Sequence, residues 1–233
     1  MTTLYLVRHG QTEFNVQKRV QGMADSALTA KGIADAKALG LGFKTAGIRF
    51  NAAFASDLTR AIDTAHFILS GLDEPLPVTT LMGLREENYG KFKGQLANDF
   101  SLATMGVANF HKALANREIT LAQTADAAFA ANMDQHPNTA ETNRMVQERL
   151  NRTLRAIAVE AETKDWQRVL VVTHGTAALM WLNYIHYNID GREMLDNASV
   201  TKLSWTNERF RVTDFNDLGF LHQGQKVAGE ASA

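Results

Sequence analysis

Short apolar runs alternate with amphipathic stretches along most of the chain, and this alternation predicts strands that alternate with helices. Thr3–Val7, Ala52–Ala55 and Val78–Leu81 are apolar runs of strand length. Arg168–Thr173, with a continuous Val-Leu-Val-Val, is the strongest strand signal. Strands that alternate with helices favour a three-layer α/β/α fold with a mostly parallel central sheet.

Apolar positions at helical spacing predict that the segments between these strands are helices. A helix should begin at Thr29, which can act as its N-cap, and end near Gly47. Ser56-Asp57 should cap a second helix that ends near Gly71. Residues 140–163 predict a long amphipathic helix, and a strongly apolar helix should follow residue 175 and end near residue 186.

The remaining stretches define the domain organisation. Residues 95–138 are rich in Ala, Asn and Gln and predict two or three modest helices. We expect them to form a helical cap inserted into a single domain of residues 1–233, because about 45 residues rarely build an independent core. Alternation in Val200–Trp205 and Phe210–Phe215 predicts a hairpin. The small and polar residues 221–233 predict a frayed tail.

Composition and charge exclude several functional classes. The formal net charge of −1 gives no electrostatic reason to expect a nucleic-acid or anionic-membrane partner. The chain has no cysteine, which excludes disulfides, thiolate metal ligands and cysteine nucleophiles, and is consistent with a reducing cytoplasm. The few residues before the first strand contain no basic region and no apolar signal core, and no apolar run approaches the span of a bilayer. We therefore expect a cytoplasmic protein, and the sequence leaves a homodimer open.

Two strands end in a histidine followed by glycine. Arg8-His9-Gly10 follows the first strand and His174-Gly175-Thr176 follows the strongest one. A buried arginine needs an anion, and a neutral imidazole can accept a phosphoryl group. Ligands bind beyond the carboxyl ends of the strands in α/β sheets, so His9 and His174 should meet over one site. The free N–H groups of the helix that starts after residue 175 would suit a phosphate.

Two further polar residues have both a functional and an ordinary interpretation. Arg60 lies in the first turn of a predicted helix, where the helix dipole disfavours a cation, and this indicates a bound anion. It could instead be a solvated arginine paired with Asp57 or Asp63. Asn15 could reach the site if its loop folds back, or it could simply form a turn.

Glu86 and Glu87 offer a general acid. A carboxyl group beside a phosphate pocket can protonate the leaving alcohol if its environment keeps a proton on it. The residues alone do not choose between the two glutamates. The other histidines lack the spacing of metal ligands, and they are His66, His111, His136, His186 and His222.

Taken together, these motifs resemble the histidine phosphatase superfamily, in its phosphoglycerate mutase-like family. The match covers most of the chain and rests on four stretches, which are Arg8–Thr12 with Asn15, Gln21-Gly22, Asp25 and Leu28-Thr29; Ser56–Leu58 with Arg60-Ala61 and Thr64-Ala65; Leu84, Glu86, Tyr89-Gly90 and Gly94; and Val172–Gly175. The chain departs from the usual family pattern in three places, namely Gln11 in place of Glu, Ala27 in place of Pro, and Glu141-Thr142 where many members have Gly-Glu-Ser.

The resemblance implies residue roles. It implies that His9 is phosphorylated, that Arg8, Arg60 and His174 bind the phosphoryl group, and that Glu86, aligned through the Tyr-Gly pair, donates the proton. Further substrate contacts are expected from the residues of the same motifs, which are Asn15, Gln21, Gly22, Gly175 and Thr176. No metal or other cofactor is expected, because the protein itself supplies positive charge.

The expected activity is hydrolysis of a small phosphomonoester through a phosphohistidine. The alternatives are a cofactor-dependent phosphoglycerate mutase and, from another class, a catalytically silent phospho-ligand binding module. Hydrolysis is preferred because the mutases of the family have an arginine- and proline-rich insertion, whereas residues 95–138 contain only Arg117 and Pro137 of these types. Lys91 and Lys93 could still bind a carboxylate. The apolar residues expected to line the pocket are Phe100, Met105, Phe110, Phe129 and Met133.

Overall fold

The computed structural model describes residues 1–189 and 194–230, and a six-stranded sheet forms the centre of this part of the chain. The strand order is β3-β2-β4-β1-β5-β6. The first four of these strands are parallel, and β5 joins β1 and β6 in antiparallel pairs. The strands are β1 (Thr2–Arg8), β2 (Ala52–Ala55), β3 (Val78–Thr80), β4 (Arg168–Thr173), β5 (Val200–Thr206) and β6 (Arg209–Asp217).

Helices cover both faces of the sheet. The helices are α1 (Glu13–Val16), α2 (Ala30–Thr45), α3 (Thr59–Leu72), α4 (Ala97–Met105), α5 (Phe110–Ala115), α6 (Leu121–Ala131), α7 (Asn143–Thr163), α8 (Gly175–Tyr184) and α9 (Gly219–Glu230), with 3-10 turns at Met82–Leu84 and Gly90–Phe92. Leu4 and Leu6 of β1 point into a core shared with α7 and α8, whereas Tyr5 and Val7 point into a core shared with α2, α3 and α9. Burial on both faces explains the continuous apolar runs. The predicted three-layer fold with a mostly parallel sheet is confirmed.

The insertion 95–138 contains α4, α5 and α6. Leu114, Leu121 and Ala125 belong to the same core as α7 and α8. Phe100 anchors a smaller cluster with Tyr89 and neighbouring residues. The insertion is therefore an extension of the core on one side of the sheet.

The expectation of a frayed tail is wrong for residues 221–230, which belong to α9. Leu221 is buried, and the Phe220 ring lies 4.9 Å from that of Phe43, measured between centroids. A Cβ at Gly224 would lie only 1.7 Å from the Ala38 carbonyl oxygen, so the backbones of α9 and α2 are in close contact. The small residues of this segment make that contact, and residues 231–233 lie outside the described part of the chain.

The expected cap at Ser56-Asp57 is also wrong. The helix α3 begins at Thr59, and its N-cap Leu58 makes no side-chain hydrogen bond to it. Asp57 instead accepts two hydrogen bonds from Arg85, at 2.6 and 2.7 Å. This ion pair joins the start of α3 to the loop that contains the paired glutamates.

No helix among residues 1–189 and 194–230 is both long enough and apolar enough to cross a membrane.

Candidate active site

A cavity of about 440 Å³ opens beyond the carboxyl ends of β1 and β4. Arg8 and Thr173 are partners in the parallel pairing of these strands, so the histidines that follow them are neighbours. The ring centroids of His9 and His174 are 5.2 Å apart. The sequence-predicted residues that line the cavity are Arg8, His9, Asn15, Gln21, Gly22, Arg60, Glu86 and Thr176.

The His9 ring is positioned by the backbone carbonyl of the next residue, Gly10. Its Nδ1 lies 2.8 Å from the Gly10 carbonyl oxygen, and because a carbonyl can only accept, this nitrogen holds the proton. Nε2 of the neutral ring therefore keeps its lone pair. Burial, followed by the charges of Arg60 and Arg8, holds the pKa of the His9 imidazole well below its usual 6.5. The ring is a neutral nucleophile at physiological pH.

His174 is fully buried next to His9 and is not among the residues that line the cavity. Neither of its ring nitrogens has a hydrogen-bond partner in the described residues. Burial and the charge of Arg60 hold the pKa of this imidazole well below 6.5, so it is neutral as well. A buried ring with both nitrogens unpaired is unusual, and it leaves one N–H donor available to a ligand.

Arg60 is fully buried and folds under the loop that precedes α2. Its two terminal nitrogens donate to the carbonyls of Gly22 and Ala24, each at 2.7 Å, and Asp25 is 3.9 Å away. Gly22 adopts φ +51°, which favours glycine, and this turns its carbonyl toward the guanidinium. Burial lowers the pKa of Arg60 to about 10, and its Nε has no partner. The alternative of a solvated arginine paired with an aspartate of its own helix is wrong.

Arg8 reaches the opposite side of the site. Its Nη1 donates to the Leu195 carbonyl, and its buried Nε has no partner among the described residues. Burial lowers its pKa, and the charges of Glu86 and Asp196 oppose this effect. A Cβ on Gly175 would lie 3.1 Å from the Arg8 Nε, so a glycine at that position leaves room for the guanidinium.

Glu86 occupies the N-terminus of α8. Its carboxylate accepts from the N–H groups of Ala177 at 2.7 Å, Thr176 at 3.1 Å and Glu87 at 3.0 Å. The N–H groups after residue 175 were expected to be free for a phosphate, and this is wrong in this structure, because those of Thr176 and Ala177 are bonded to Glu86. A helix N-terminus attracts an anion, and here the anion is the side chain of Glu86.

Glu87 is buried outside the cavity lining. Neither carboxyl oxygen has a hydrogen-bond partner of normal geometry. Burial and then the negative charge of Glu86 raise the pKa of the Glu87 carboxyl well above 4.5, and the nearby Tyr89 hydroxyl opposes this only in part. Its environment thus favours the neutral form of the Glu87 carboxyl, whereas Glu86 faces the cavity.

Asn15 combines the two roles that the sequence left open. Its side-chain oxygen accepts from the backbone N–H and the hydroxyl of Thr12 and, at 3.3 Å, from Asn197. It therefore stabilises the turn that begins α1 while it lines the cavity.

Two contributors, Asn197 and Arg149, were not singled out in the sequence, and Thr64 and Glu141 were named only as parts of family motifs. Asn197 donates to the His9 carbonyl at 3.0 Å, and the Gly10 N–H donates to the Thr64 hydroxyl at 2.9 Å. Arg149 of α7 donates to the Glu86 carbonyl at 3.2 Å and to the Glu141 carboxylate. Of these residues, only Arg149 could have been found from the sequence, because it is a cation between the buried positions 146 and 150 of an amphipathic helix.

The predicted apolar lining is corrected by the structure. Only Phe110 of the five expected residues lines the cavity; Phe100 is fully buried in its own cluster, and Met133 is exposed. Lys91, which we considered for a carboxylate, pairs with Asp134 away from the cavity. The apolar wall is instead made by Phe14, Val20, Tyr89, Ala97, Phe110, Leu114 and Leu121.

The floor of the site has more positive charge and more unpaired donors than its acids can satisfy. The buried Nε atoms of Arg8 and Arg60 and the ring nitrogens of His174 lack partners around the free Nε2 of His9. Buried donors of this kind need an acceptor, and guanidinium groups suit phosphate oxygens. Within residues 1–189 and 194–230 no group of three or more His, Cys, Asp or Glu is placed to hold a metal ion.

Comparison with known proteins gives a family match over nearly the whole chain. The model of the histidine phosphatase superfamily (branch 1) matches residues 4–218. A 2,3-bisphosphoglycerate-dependent phosphoglycerate mutase of Bradyrhizobium sp. is 41% identical over 109 residues, which are 46% of this chain and 52% of that protein. A second such mutase, from Lactiplantibacillus plantarum, is 43% identical over 95 residues, which are 40% of this chain and 41% of that protein. The matched stretch thus spans about half or less of the length of these relatives.

Solved structures resemble the whole fold. The crystal structure of a phosphoglycerate mutase from Bacillus anthracis is 30% identical, with a TM-score of 0.84 and coverage of 96% of each chain. A mycobacterial glucosyl-3-phosphoglycerate phosphatase has a TM-score of 0.68 at 24% identity, with coverage of 93% of this chain and 99% of that one. The second likeness concerns the fold alone.

Proposed function

This chain belongs to branch 1 of the histidine phosphatase superfamily, and we propose that it is a phosphatase that hydrolyses small phosphomonoesters through a phosphohistidine on His9. The single observation that supports this most directly is the set of unpaired buried donors around the free Nε2 of a neutral histidine. A phosphoryl group would supply the acceptors that the described residues lack.

In the first step, His9 Nε2 attacks phosphorus in line, a P–N bond forms and the P–O bond to the alcohol breaks. Arg8, Arg60 and His174 bind the equatorial oxygens, and positioning with electrostatic stabilisation is the main requirement of phosphoryl transfer. The Glu86 carboxyl, which lines the cavity beside the phosphoryl group, gives a proton to the leaving oxygen.

In the second step, water attacks phosphorus while Glu86 accepts its proton. The P–N bond breaks, phosphate leaves and His9 returns to its neutral form. Asn15 would add N–H donors, because only its side-chain oxygen is occupied by Thr12 and Asn197. Gln21 and Gly22 complete the contacts that we propose for the substrate, together with Thr176, whose N–H donates to the Glu86 carboxylate.

A phosphoglycerate mutase is the second candidate, because the relatives and the similar structure from Bacillus anthracis have that name. It would use the same His9 and return the phosphoryl group to the substrate. The lysines considered for a glycerate carboxylate, Lys91 and Lys93, do not line the cavity.

The experiment that tests the proposal measures phosphate release and 3- to 2-phosphoglycerate interconversion with the same purified protein. We expect phosphate release from several esters and an acid-labile, base-stable phosphoprotein after rapid quenching, both lost in His9→Ala. Interconversion much faster than release, and dependent on a bisphosphoglycerate primer, would favour the mutase. A phosphoprotein or full turnover that persists in His9→Ala would refute the role of His9.

A further inference from the structure

The rim of the active-site cavity contains a cation that has no acidic partner. Lys18 and Arg19 line the cavity, and both are exposed, whereas His9, Arg60 and Glu86 at its floor are buried. In the described residues no carboxylate lies within 4.0 Å of the Lys18 ammonium, and no side-chain hydrogen bond of Lys18 is formed. Arg19 also has no carboxylate partner among the described residues, but its guanidinium is held by hydrogen bonds, since its Nε donates to the Gln17 side chain and its Nη1 to the Gly94 carbonyl.

The segment that holds Lys18 is fixed to the start of the insertion. The Ala97 N–H donates to the Lys18 carbonyl at 3.0 Å, the Gly94 N–H donates to the Val20 carbonyl at 2.7 Å, and the Val20 N–H donates to Gln95 at 2.9 Å. Lys18 has a left-handed backbone with φ 54°, which is uncommon for a residue with a side chain. The backbone at this part of the rim is therefore held in place.

The cavity that joins this rim to the floor also has a buried apolar wall. Val20, Ala97, Leu114 and Leu121 are buried, and each lines the cavity. His111 of α5 lines it too, and burial and the charge of Lys18 lower the pKa of its imidazole, so it faces the rim as a neutral group. The cavity volume of about 440 Å³ falls within the ordinary range for small-molecule sites.

Two acidic residues, Glu86 and Asp196, line the same cavity, and neither neutralises the rim. The Glu86 carboxylate accepts from backbone N–H groups at the start of α8. Asp196 accepts from the Asn216 side chain at 2.9 Å, and its charge acts on Arg8 at the floor. The cavity therefore offers two separated sites for negative charge, a floor that suits a phosphoryl group and one free ammonium at the mouth.

We propose that the cavity selects phosphomonoesters whose apolar, aryl-sized alcohol has a carboxylate at its far end, which Lys18 binds at the rim. A single free ammonium matches a monoanion, and the buried apolar wall matches the body that joins the two charged ends. This inference rests on the proposed phosphatase function and specifies the substrate class of the same site.

The test compares two esters of similar size, 4-carboxyphenyl phosphate and its uncharged analogue 4-carbamoylphenyl phosphate, by release of inorganic phosphate. For each protein, kcat/KM for the carboxylate ester is divided by kcat/KM for the amide ester. This ratio should be about fivefold higher in the wild type than in Lys18→Gln, which is the upper range for an ion pair open to solvent. High ionic strength should reduce the wild-type ratio. The comparison between proteins cancels the difference in intrinsic reactivity of the two esters.

Lys112→Gln is the matched control, because Lys112 is an exposed lysine of α5 that does not line the cavity. Its ratio should equal that of the wild type. Equal ratios in the wild type and Lys18→Gln, with both esters hydrolysed, would overturn the carboxylate subsite and leave the phosphatase intact. An equal fall in Lys112→Gln would also overturn it, and no phosphate release from any ester would refute the phosphatase itself.

Discussion

At the scale of single residues, two adjacent glutamates have opposite environments. The Glu86 carboxylate accepts hydrogen bonds from three backbone N–H groups beside the cavity. The Glu87 carboxyl is buried, and neither of its oxygens has a hydrogen-bond partner of normal geometry in the described residues. Their sequence context did not distinguish them; the alignment on Tyr89-Gly90 did, and the geometry agrees because Glu86 is the one that lines the cavity. The role of Glu86 in proton transfer stays a prediction.

That prediction is tested by the leaving group. Glu86→Gln should slow hydrolysis of alkyl phosphates by about 100-fold or more, since a poor alcohol leaving group needs a proton. The same variant should lose much less with p-nitrophenyl phosphate, whose phenolate leaves unprotonated. Equal losses for both esters, or a larger loss with alkyl phosphates in Glu87→Gln, would remove Glu86 from this role.

Glu87 predicts a pH effect on stability. Its pKa is raised in the folded state, so between about pH 4.5 and that raised pKa the folded protein holds a proton that the unfolded chain has released. The contribution of Glu87 to the free energy of unfolding is complete below about pH 4.5. It is lost as pH rises from there to the raised pKa, at up to about 1.4 kcal/mol per pH unit.

Glu87→Gln stays neutral, so its free energy of unfolding should increase relative to the wild type as pH rises above about 4.5. Urea unfolding over a pH series measures this. Glu118→Gln makes the same chemical change at an exposed residue of the insertion, and parallel curves for Glu87→Gln and the wild type would contradict the assignment.

At the scale of elements, α7 holds the loop that contains Glu86. Arg149 donates to the carbonyls of Gly83, Arg85 and Glu86 at 3.1, 2.9 and 3.2 Å, and it pairs with Glu141. Glu141 in turn accepts from the Asn88 N–H at 3.0 Å, so the loop is held on both sides of the glutamates.

We therefore predict that Arg149→Lys displaces Glu86. Lysine keeps the charge but lacks the planar fork, and a small displacement of a catalytic group can lower the rate by roughly 10- to 100-fold. The loss should be larger for alkyl phosphates than for p-nitrophenyl phosphate, as in Glu86→Gln. Arg152→Lys makes the same change on the exposed side of α7 and should behave as the wild type; a loss that is equal for both esters would indicate a general structural effect instead.

The elements also mark the limit of local sequence patterns. Periodicity located β2, β4 and the buried face of α7, because a strand or helix in one core repeats its apolar positions. It failed at α9, where Gly224 lies against Ala38 of α2, more than 180 positions earlier in the chain. The same limit applies to the start of α8, since no local signal indicates that its N–H groups are taken by Glu86.

At the scale of the whole molecule, the fold class could be predicted and the cavity wall could not. Two strand-histidine-glycine motifs were enough to expect His9 and His174 side by side, because parallel strands end at one edge of the sheet. The partners of the site arrive from unrelated segments, such as the Leu195 carbonyl on Arg8 and Asn197 on the His9 carbonyl. Such contacts depend on tertiary packing, which periodicity does not encode.

The arrangement of charge over the molecule gives the last prediction, that phosphate release survives exhaustive chelation. The overall charge is only −1, yet two buried guanidinium groups, of Arg8 and Arg60, converge on one floor. Positive charge fixed in a buried site can stabilise a phosphoryl transition state in the way that a metal ion does in other enzymes. The rate in excess EDTA should therefore equal the untreated rate, with a metal-dependent phosphatase in the same buffer to show that the chelator is effective. Loss of activity in EDTA that a divalent cation restores would mean that the two arginines do not suffice and that the proposed mechanism lacks a component.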